Sequence, residues 1–266
     1  MTCRILFFVV ANTISMTTEA KARLSAVIPS LLLLSVLAIF IAIAFAPPAR
    51  TAGAAPTSGT DPDAVRALNN CTAYTASHDF ETQLSGTIKA KVFGIPYKIS
   101  VSGGRVVSDG DAVSTAESVS AFVKAGIKRK VSDGKLYSYD GTYKRKNFSY
   151  SNPKEYSYNE YVAKFGKPEL GLVKYELNGN ILSAVKLSDN SFRYTLEPKR
   201  AAKYCSNEVK TTLDVNKSPV YDLIEVTLDT DGKRPSRVTI HEIFTVDKFG
   251  GTRCDAVYTE TFSFKN

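Results

Sequence analysis

Few residues in this chain have the type and spacing that catalysis needs. There are two histidines among 266 residues. His78 sits in the tripeptide Ser77-His78-Asp79. A Ser-His-Asp triad requires those side chains to converge from separate parts of a fold, so their adjacency in sequence reads as a surface loop. His241 falls on the outward phase of an alternating segment, opposite to Ile240, and reads as a solvated strand histidine. Neither makes a metal site alone. Ser151-Asn152-Pro153-Lys154 fits the S-x-x-K pattern of acyl-transfer serines, with Ser157-Tyr158-Asn159 close behind. In working sites those two motifs lie far apart, the first serine opens a buried helix, and a K-T-G follows. Here Pro153 interrupts the first motif and no K-T-G is found. No G-x-S-x-G, P-loop, dinucleotide fingerprint or H-E-x-x-H occurs. The residues therefore predict no catalytic group, no metal and no cofactor, and a chain that is not an enzyme.

Cysteines and tyrosines remain. Cys71, Cys205 and Cys254 follow residue 55 and permit one disulfide with one thiol left over, without indicating the pair. Tyr137, Tyr139, Tyr143, Tyr150, Tyr156, Tyr158 and Tyr161 crowd one stretch. Amphipathic rings of this kind suit interfaces and groove rims, although β propensity alone also enriches tyrosine in strands.

The strongest single feature is an uncharged apolar run from Leu24 to Ala46. Its length, about 23 residues, spans a hydrocarbon core of roughly 30 Å as a helix. Arg4, Lys21 and Arg23 precede it against one acid, Glu19. That bias places residues 1–23 in the cytoplasm and everything after Arg50 outside. An alternative start at Met16 would keep the same basic flank. Two fates fit the run. It is either a retained anchor or a signal segment cleaved near Ala54, where Ala52-Gly53-Ala54 matches the A-x-A pattern. Residues 47–60 are small and rich in Pro, Gly, Ser and Thr, and read as a linker. Residues 61–266 form the extracytoplasmic domain.

Of 34 basic residues four precede residue 55, against one of 26 acids, so the outer region carries about +5. This modest excess reads first as a solvated surface. Nucleic-acid binding would need a recognisable module in addition, and none occurs.

The outer region must therefore do its work through shape. Asp61-Pro62 starts a helix, with Asp61 as the cap and Pro62 where its missing N–H costs nothing. Ala64, Leu68 and Cys71 share one face of it. Phe80–Val92 alternates without a break, with Phe80, Thr82, Leu84, Gly86, Ile88, Ala90 and Val92 on one side. Ile95 to Val101 continues the pattern. Val119, Ala121, Val123, Ala125 and Ile127 read as one inward row, with Ser118, Ser120, Lys124 and Lys128 outward. Asp133-Gly134 signals a hairpin. Ser157-x-x-Glu160 is a capping box opening a mid-chain helix. A hairpin over Ile181–Leu187 and Phe192–Leu196, a short helix at Lys199–Val209 and three closing strands complete the order. In these last strands Ile224, Val226, Leu228, then Val238, Ile240, Phe244, Val246, then Cys254, Ala256, Tyr258, Phe262 and Phe264 point inward.

This alternation predicts a mainly β, α+β fold: a long-stranded antiparallel sheet with one apolar and one polar face, curved by its own twist and covered by short helices. An incompletely closed sheet of this kind leaves an apolar groove suited to a hydrophobic ligand. Leu84, Ile88, Val119, Val123, Ile240 and Phe262 are its expected lining.

The order of elements from Asp61 to Phe264, with Leu196-Glu197-Pro198 before a helix, resembles the extracytoplasmic LolA-like lipoprotein-carrier fold. That resemblance implies a half-barrel with helical lids that holds acyl chains on its concave side. Carriers of that kind are freely soluble, whereas this chain is tethered if it keeps its anchor. The expected partners are the membrane, through residues 24–46, and a lipid or acyl chain. The alternative is a solid-cored interaction or sensing module that meets an envelope protein.

Overall fold

The computed structural model describes residues 59–92, 94–120, 124–160, 170–173, 175, 177, 179–202, 218–247 and 251–265. The apolar run 24–46, the mid-chain helix beyond residue 160, Tyr161, Val123 and Cys205 lie outside them. Among the described residues no helix is long and apolar enough to cross a membrane.

Chain order begins with helix α1 (Pro62–Ser77) and three long strands: β1 (Phe80–Val92), β2 (Ile95–Ser108) and β3 (Asp111–Val119). Strands β4 (Lys124–Ser132), β5 (Lys135–Lys144), β6 (Asn147–Tyr150) and β7 (Lys154–Ser157) follow. Then come β8 (Ile181–Ser188), β9 (Ser191–Leu196) and the single turn α2 (Pro198–Ala201). Strands β10 (Val220–Asp231), β11 (Arg234–Val246) and β12 (Thr252–Phe264) end the domain.

All twelve strands join one antiparallel sheet, in the order β6-β5-β4-β3-β2-β1-β12-β11-β10-β9-β8, with β7 also on β5. The first and last long strands, β1 and β12, pair at its middle, from Phe80 against Phe264 to Ala90 against Cys254. The order never returns on itself, so the sheet is an open, curved half-barrel with β6 and β7 at one edge and β8 at the other.

Tight turns set the register of the meander. Asp109-Gly110 and Asp133-Gly134 have positive φ at both residues (52° and 82°, 54° and 70°), the geometry whose twist matches paired strands. Gly86 has a different reason to be glycine. It lies opposite Tyr258, and a Cβ there would run into the Val257 carbonyl and the Tyr258 ring. Gly86→Ala is expected to destabilise the domain by about 1–3 kcal/mol through overpacking, read as a fall in the melting midpoint. An unchanged midpoint would contradict that packing.

Helix α1 starts as its sequence requires. The Asp61 carboxylate accepts from the Asp63 N–H at 2.8 Å, and Pro62 occupies the first turn. Its buried face is Ala64, Leu68, Cys71 and Thr75. This stripe packs on β8, β9, β10 and β11.

One row of the sheet differs from the sequence reading. Residues 119–128 are not one strand: β3 ends at Val119 and β4 begins at Lys124. Pairing sets Ala116 against Ile127 and Ser118 against Ala125. The inward row of β3 is thus Ala112, Ser114, Ala116 and Ser118, while Val119 faces the other side and is half-buried. Small hydroxyl residues fill the interior here, so hydropathy alone points to the wrong face.

Candidate binding face

The concave face is continuous across the middle of the sheet. Leu84 and Ile88 on β1, Phe262 on β12 and Ile240 on β11 share it, each at most 7% exposed. The pairings Ile88–Ala256, Thr82–Phe262 and Ile240–Tyr258 bring these side chains together over three neighbouring strands. Val119 is on the opposite face.

What hides this face is not a second sheet. Helix α1 lies over the β8–β11 half, and Tyr194 on β9 donates its hydroxyl to the Ala64 carbonyl at 2.7 Å. Tyr74 of α1 meets the Phe264 ring edge-on at 4.9 Å. An irregular segment supplies buried Leu172, Val173, Tyr175 and Leu177.

Charged side chains interrupt the apolar surface at inward positions of otherwise apolar rows: Arg105, Glu260 and Glu242, and towards one edge Arg129 on β4, 5% exposed and opposite Ser114. Arg105 on β2 is in phase with Ile99, Val101 and Val107, and is 3% exposed. Its guanidinium grips Glu260 with two bonds, Nε to Oε1 at 2.7 Å and Nη2 to Oε2 at 3.0 Å. Thr82 donates to the same carboxylate at 2.5 Å. The guanidinium also donates to the carbonyls of Gly171 at 2.6 Å and Leu172 at 3.4 Å, which ties the irregular segment to the sheet. It lies 5.4 Å from the Phe80 ring centre and 5.8 Å from that of Phe262, where cation–π attraction adds to the pair.

The third group, Glu242 on β11, is 0% exposed. Neither of its carboxyl oxygens has a hydrogen-bond partner. Burial alone pushes this carboxyl well above the usual carboxylate range. Tyr258, 1% exposed, also leaves its hydroxyl unpartnered. Burial, then the Glu242 carboxyl, raises that phenol well above its ordinary value. Apolar alternation alone does not disclose Glu242 and Glu260, the polar members of their inward rows. A charged residue on an inward phase is the signal that marks both.

The thiols are inert here. Cys71 and Cys254 are buried and unpaired, so they form no disulfide with each other. Burial pushes each thiol up to about 12, with Glu242 adding to the shift at Cys254. Among the described residues no cluster of three or more His, Cys, Asp or Glu could hold a metal ion.

The other sequence candidates do not gather into a reacting centre. His78 caps the end of α1 and stacks on Tyr74 with ring centres 3.9 Å apart. Asp79 instead accepts from the Ser108 hydroxyl and from the Asp109 N–H at 3.0 Å. These two bonds hold its carboxyl below the ordinary value. Ser157 and Glu160 exchange the two bonds of a capping box, each 3.2 Å, which occupies that serine structurally. His241 corrects the expectation of a solvated histidine. It is on the outward face but only 5% exposed, between Glu225 at 3.6 Å and Asp255 at 3.5 Å.

The tyrosine-rich stretch divides between faces. Tyr156 and Tyr158 pack against the core. Tyr137, Tyr139, Tyr143 and Tyr150 lie on the convex side with Phe148, as their pairing with Lys130, Lys128, Phe148 and Gly141 requires. Lys124 lies 5.0 Å from the Tyr143 ring centre and Lys128 5.8 Å from that of Tyr139. Phe148 and Tyr150 fill the space over Gly126 and Gly141. A shallow notch of about 300 Å³ opens near Glu81, Gln83 and Gly103-Gly104, where the glycines bring no side chains.

No family model and no curated protein matches the chain. Among solved structures it is similar to a LolA superfamily protein from Nitrosomonas europaea, at 8% identity and TM-score 0.29 over 76% of this chain and 94% of that one. It is also similar to a DUF1329 family protein from Desulfovibrio piger, at 9% identity and TM-score 0.30 over 77% and 92%. A third is MucB in complex with MucA(peri), at 13% identity and TM-score 0.28 over 76% and 56%.

Proposed function

We propose that residues 61–266 are a non-enzymatic extracytoplasmic binding domain that holds a lipid or other hydrophobic ligand against the concave face of the sheet. The observation that supports this is the construction of the interior. Among the described residues, a continuous apolar surface over β1, β12 and β11 is covered by helix α1 and an irregular segment, not by a second sheet. Parting of such a cover would release the Thr60–Ala184 bridge at the start of α1 and leave the pairings among the twelve strands in place. Binding then draws on apolar area removed from water, at about 25 cal/mol per Å². Leu84, Ile88, Ile240 and Phe262 are the surface offered to the ligand. Residues 24–46 are the membrane anchor or export signal in this reading.

Native mass spectrometry of the full chain, purified under mild conditions, tests it. The expected spectrum carries a bound species of lipid mass, which Ile240→Asp removes. A spectrum free of any adduct, unchanged on incubation with lipid, would contradict the reading.

A second reading is favoured by the convex face. The half-buried rings of Tyr137, Tyr139, Tyr143 and Phe148, set among lysines, suit an interaction module that meets an envelope protein while its core stays closed. A photocrosslinker at Tyr139 in cells should then trap one defined partner. Absence of a discrete product would remove this reading.

A further inference from the structure

Glu242 is the least explained group in the fold. Its neighbour in chemistry, Glu260, shows what this interior does with a carboxylate it needs for structure. Glu260 is met by two guanidinium bonds and a hydroxyl. Glu242, one strand away and equally buried, is met by nothing.

Its surroundings can be read from the register. Across β11–β12 it faces Ala256, with Cys254 and Tyr258 as the diagonal neighbours, close enough to interact on one face. Across β10–β11 it faces Ile224. Along its own strand the flanking inward residues are Ile240 and Phe244. The helix packed on β11 presents Ala64, Leu68, Cys71 and Thr75. None of these groups is a cation, and the titratable ones among them are the thiols of Cys71 and Cys254 and the phenol of Tyr258. Arg105, the basic group nearest the middle of this face, is committed to Glu260. Glu242 and Tyr258 are therefore diagonal neighbours on one apolar face, and the carboxyl and the hydroxyl both have hydrogen-bonding capacity unused.

We infer that Glu242, with Tyr258 beside it, receives the polar end of the bound amphiphile, and that this end is a primary amine. The inference rests on the concave-face reading above. An ionised carboxylate only accepts hydrogen bonds, whereas an ammonium only donates three, so the two are complementary where two ionised carboxylates or two ammoniums are not. The Tyr258 oxygen accepts a second ammonium proton. Entry of the ammonium lets Glu242 release its proton to solvent, so the net charge of the site is unchanged. Buried without a cation, the same carboxyl holds its proton to higher pH than an ordinary carboxylate does.

The test is competition of three single-chain amphiphiles, hexadecylamine, hexadecanol and hexadecanoate, for the full chain, read by displacement of a fluorescent fatty alcohol. Hexadecylamine should bind at least about tenfold more tightly than hexadecanol, the scale of one charge-assisted bond gained. Glu242→Gln should erase that preference while hexadecanol binding persists. Tyr258→Phe, which keeps the ring over Gly86, should reduce the preference severalfold. Equal binding of the three chains, preference for hexadecanoate, or an amine preference that survives Glu242→Gln would overturn the inference and leave the hydrophobic-ligand reading standing. Failure of all three to bind the native chain would overturn that reading and this inference with it.

Discussion

Arg105→Met is expected to cost about 3–5 kcal/mol of stability, because it leaves Glu260 buried without its cation. At roughly 2–4 °C per kcal/mol for a domain of this size, the melting midpoint should fall by about 10 °C. The loss is large because the pair is fully desolvated and geometrically complete. Both fork bonds are formed, Thr82 donates to the oxygen that also accepts from Nε, and two aromatic rings flank the guanidinium. The effect should not be uniform over the molecule. Arg105 also holds the Gly171 and Leu172 carbonyls, so amide exchange should quicken in residues 170–177 more than in the β10–β12 core. Adding Glu260→Met removes the stranded charge, and the double variant should recover most of the lost stability. Equal losses in the single and double variants would show that the pair is not coupled as described.

Glu242→Met should act in the opposite direction, stabilising the ligand-free domain by about 1–3 kcal/mol at neutral pH, the cost of a buried polar group without a partner. The pH dependence follows from linkage. Burial raises the carboxyl above its ordinary value of 4.5, so the native state keeps a proton at pH values where the unfolded chain releases it. The contribution of Glu242 is fully present below that value. It is lost as pH rises toward the native-state pKa, at up to about 1.4 kcal/mol per pH unit for one proton. Glu242→Gln cannot titrate, so its advantage over the native chain should be small at pH 4 and widen as pH rises to 7. A difference that stays constant over this range, measured by chemical denaturation, would mean that Glu242 is not the buried acid described.

These two acids also mark the boundary of what the sequence discloses. Helix α1, strand β1 and the last three strands were legible because each obeys one period over many residues. Asp61 capped the helix as expected, and Phe80 to Ala90 faced inward as alternation demands. The break between β3 and β4 was not legible, since apolar Val119, Ala121, Val123 and Ala125 keep phase straight through it. There the interior takes Ala112, Ser114 and Ser118 and turns Val113 and Val119 outward, so the hydropathy contrast that fixes a strand's face is reversed. The Arg145-Lys146 hairpin was equally hidden. Both residues adopt positive φ (50° and 69°) with neither Gly nor Asn to announce the turn. The inward phase of Leu84, Ile88, Ile240 and Phe262 was legible for the same reason as β1. The polar members of that face were not, because Arg105, Glu242 and Glu260 look like outward residues until the register fixes their phase.

The chain has no tryptophan, so one introduced indole reports on its own position. Phe262→Trp places it on the concave face, where Phe262 is 7% exposed. Emission should be blue-shifted, and fatty acids brominated along the chain should quench it, while a second indole at Val106 on the outer face should be left bright. Quenching of the inner indole is what a ligand held against the sheet requires. An inner indole that is buried yet indifferent to brominated chains at saturating concentration would contradict the account.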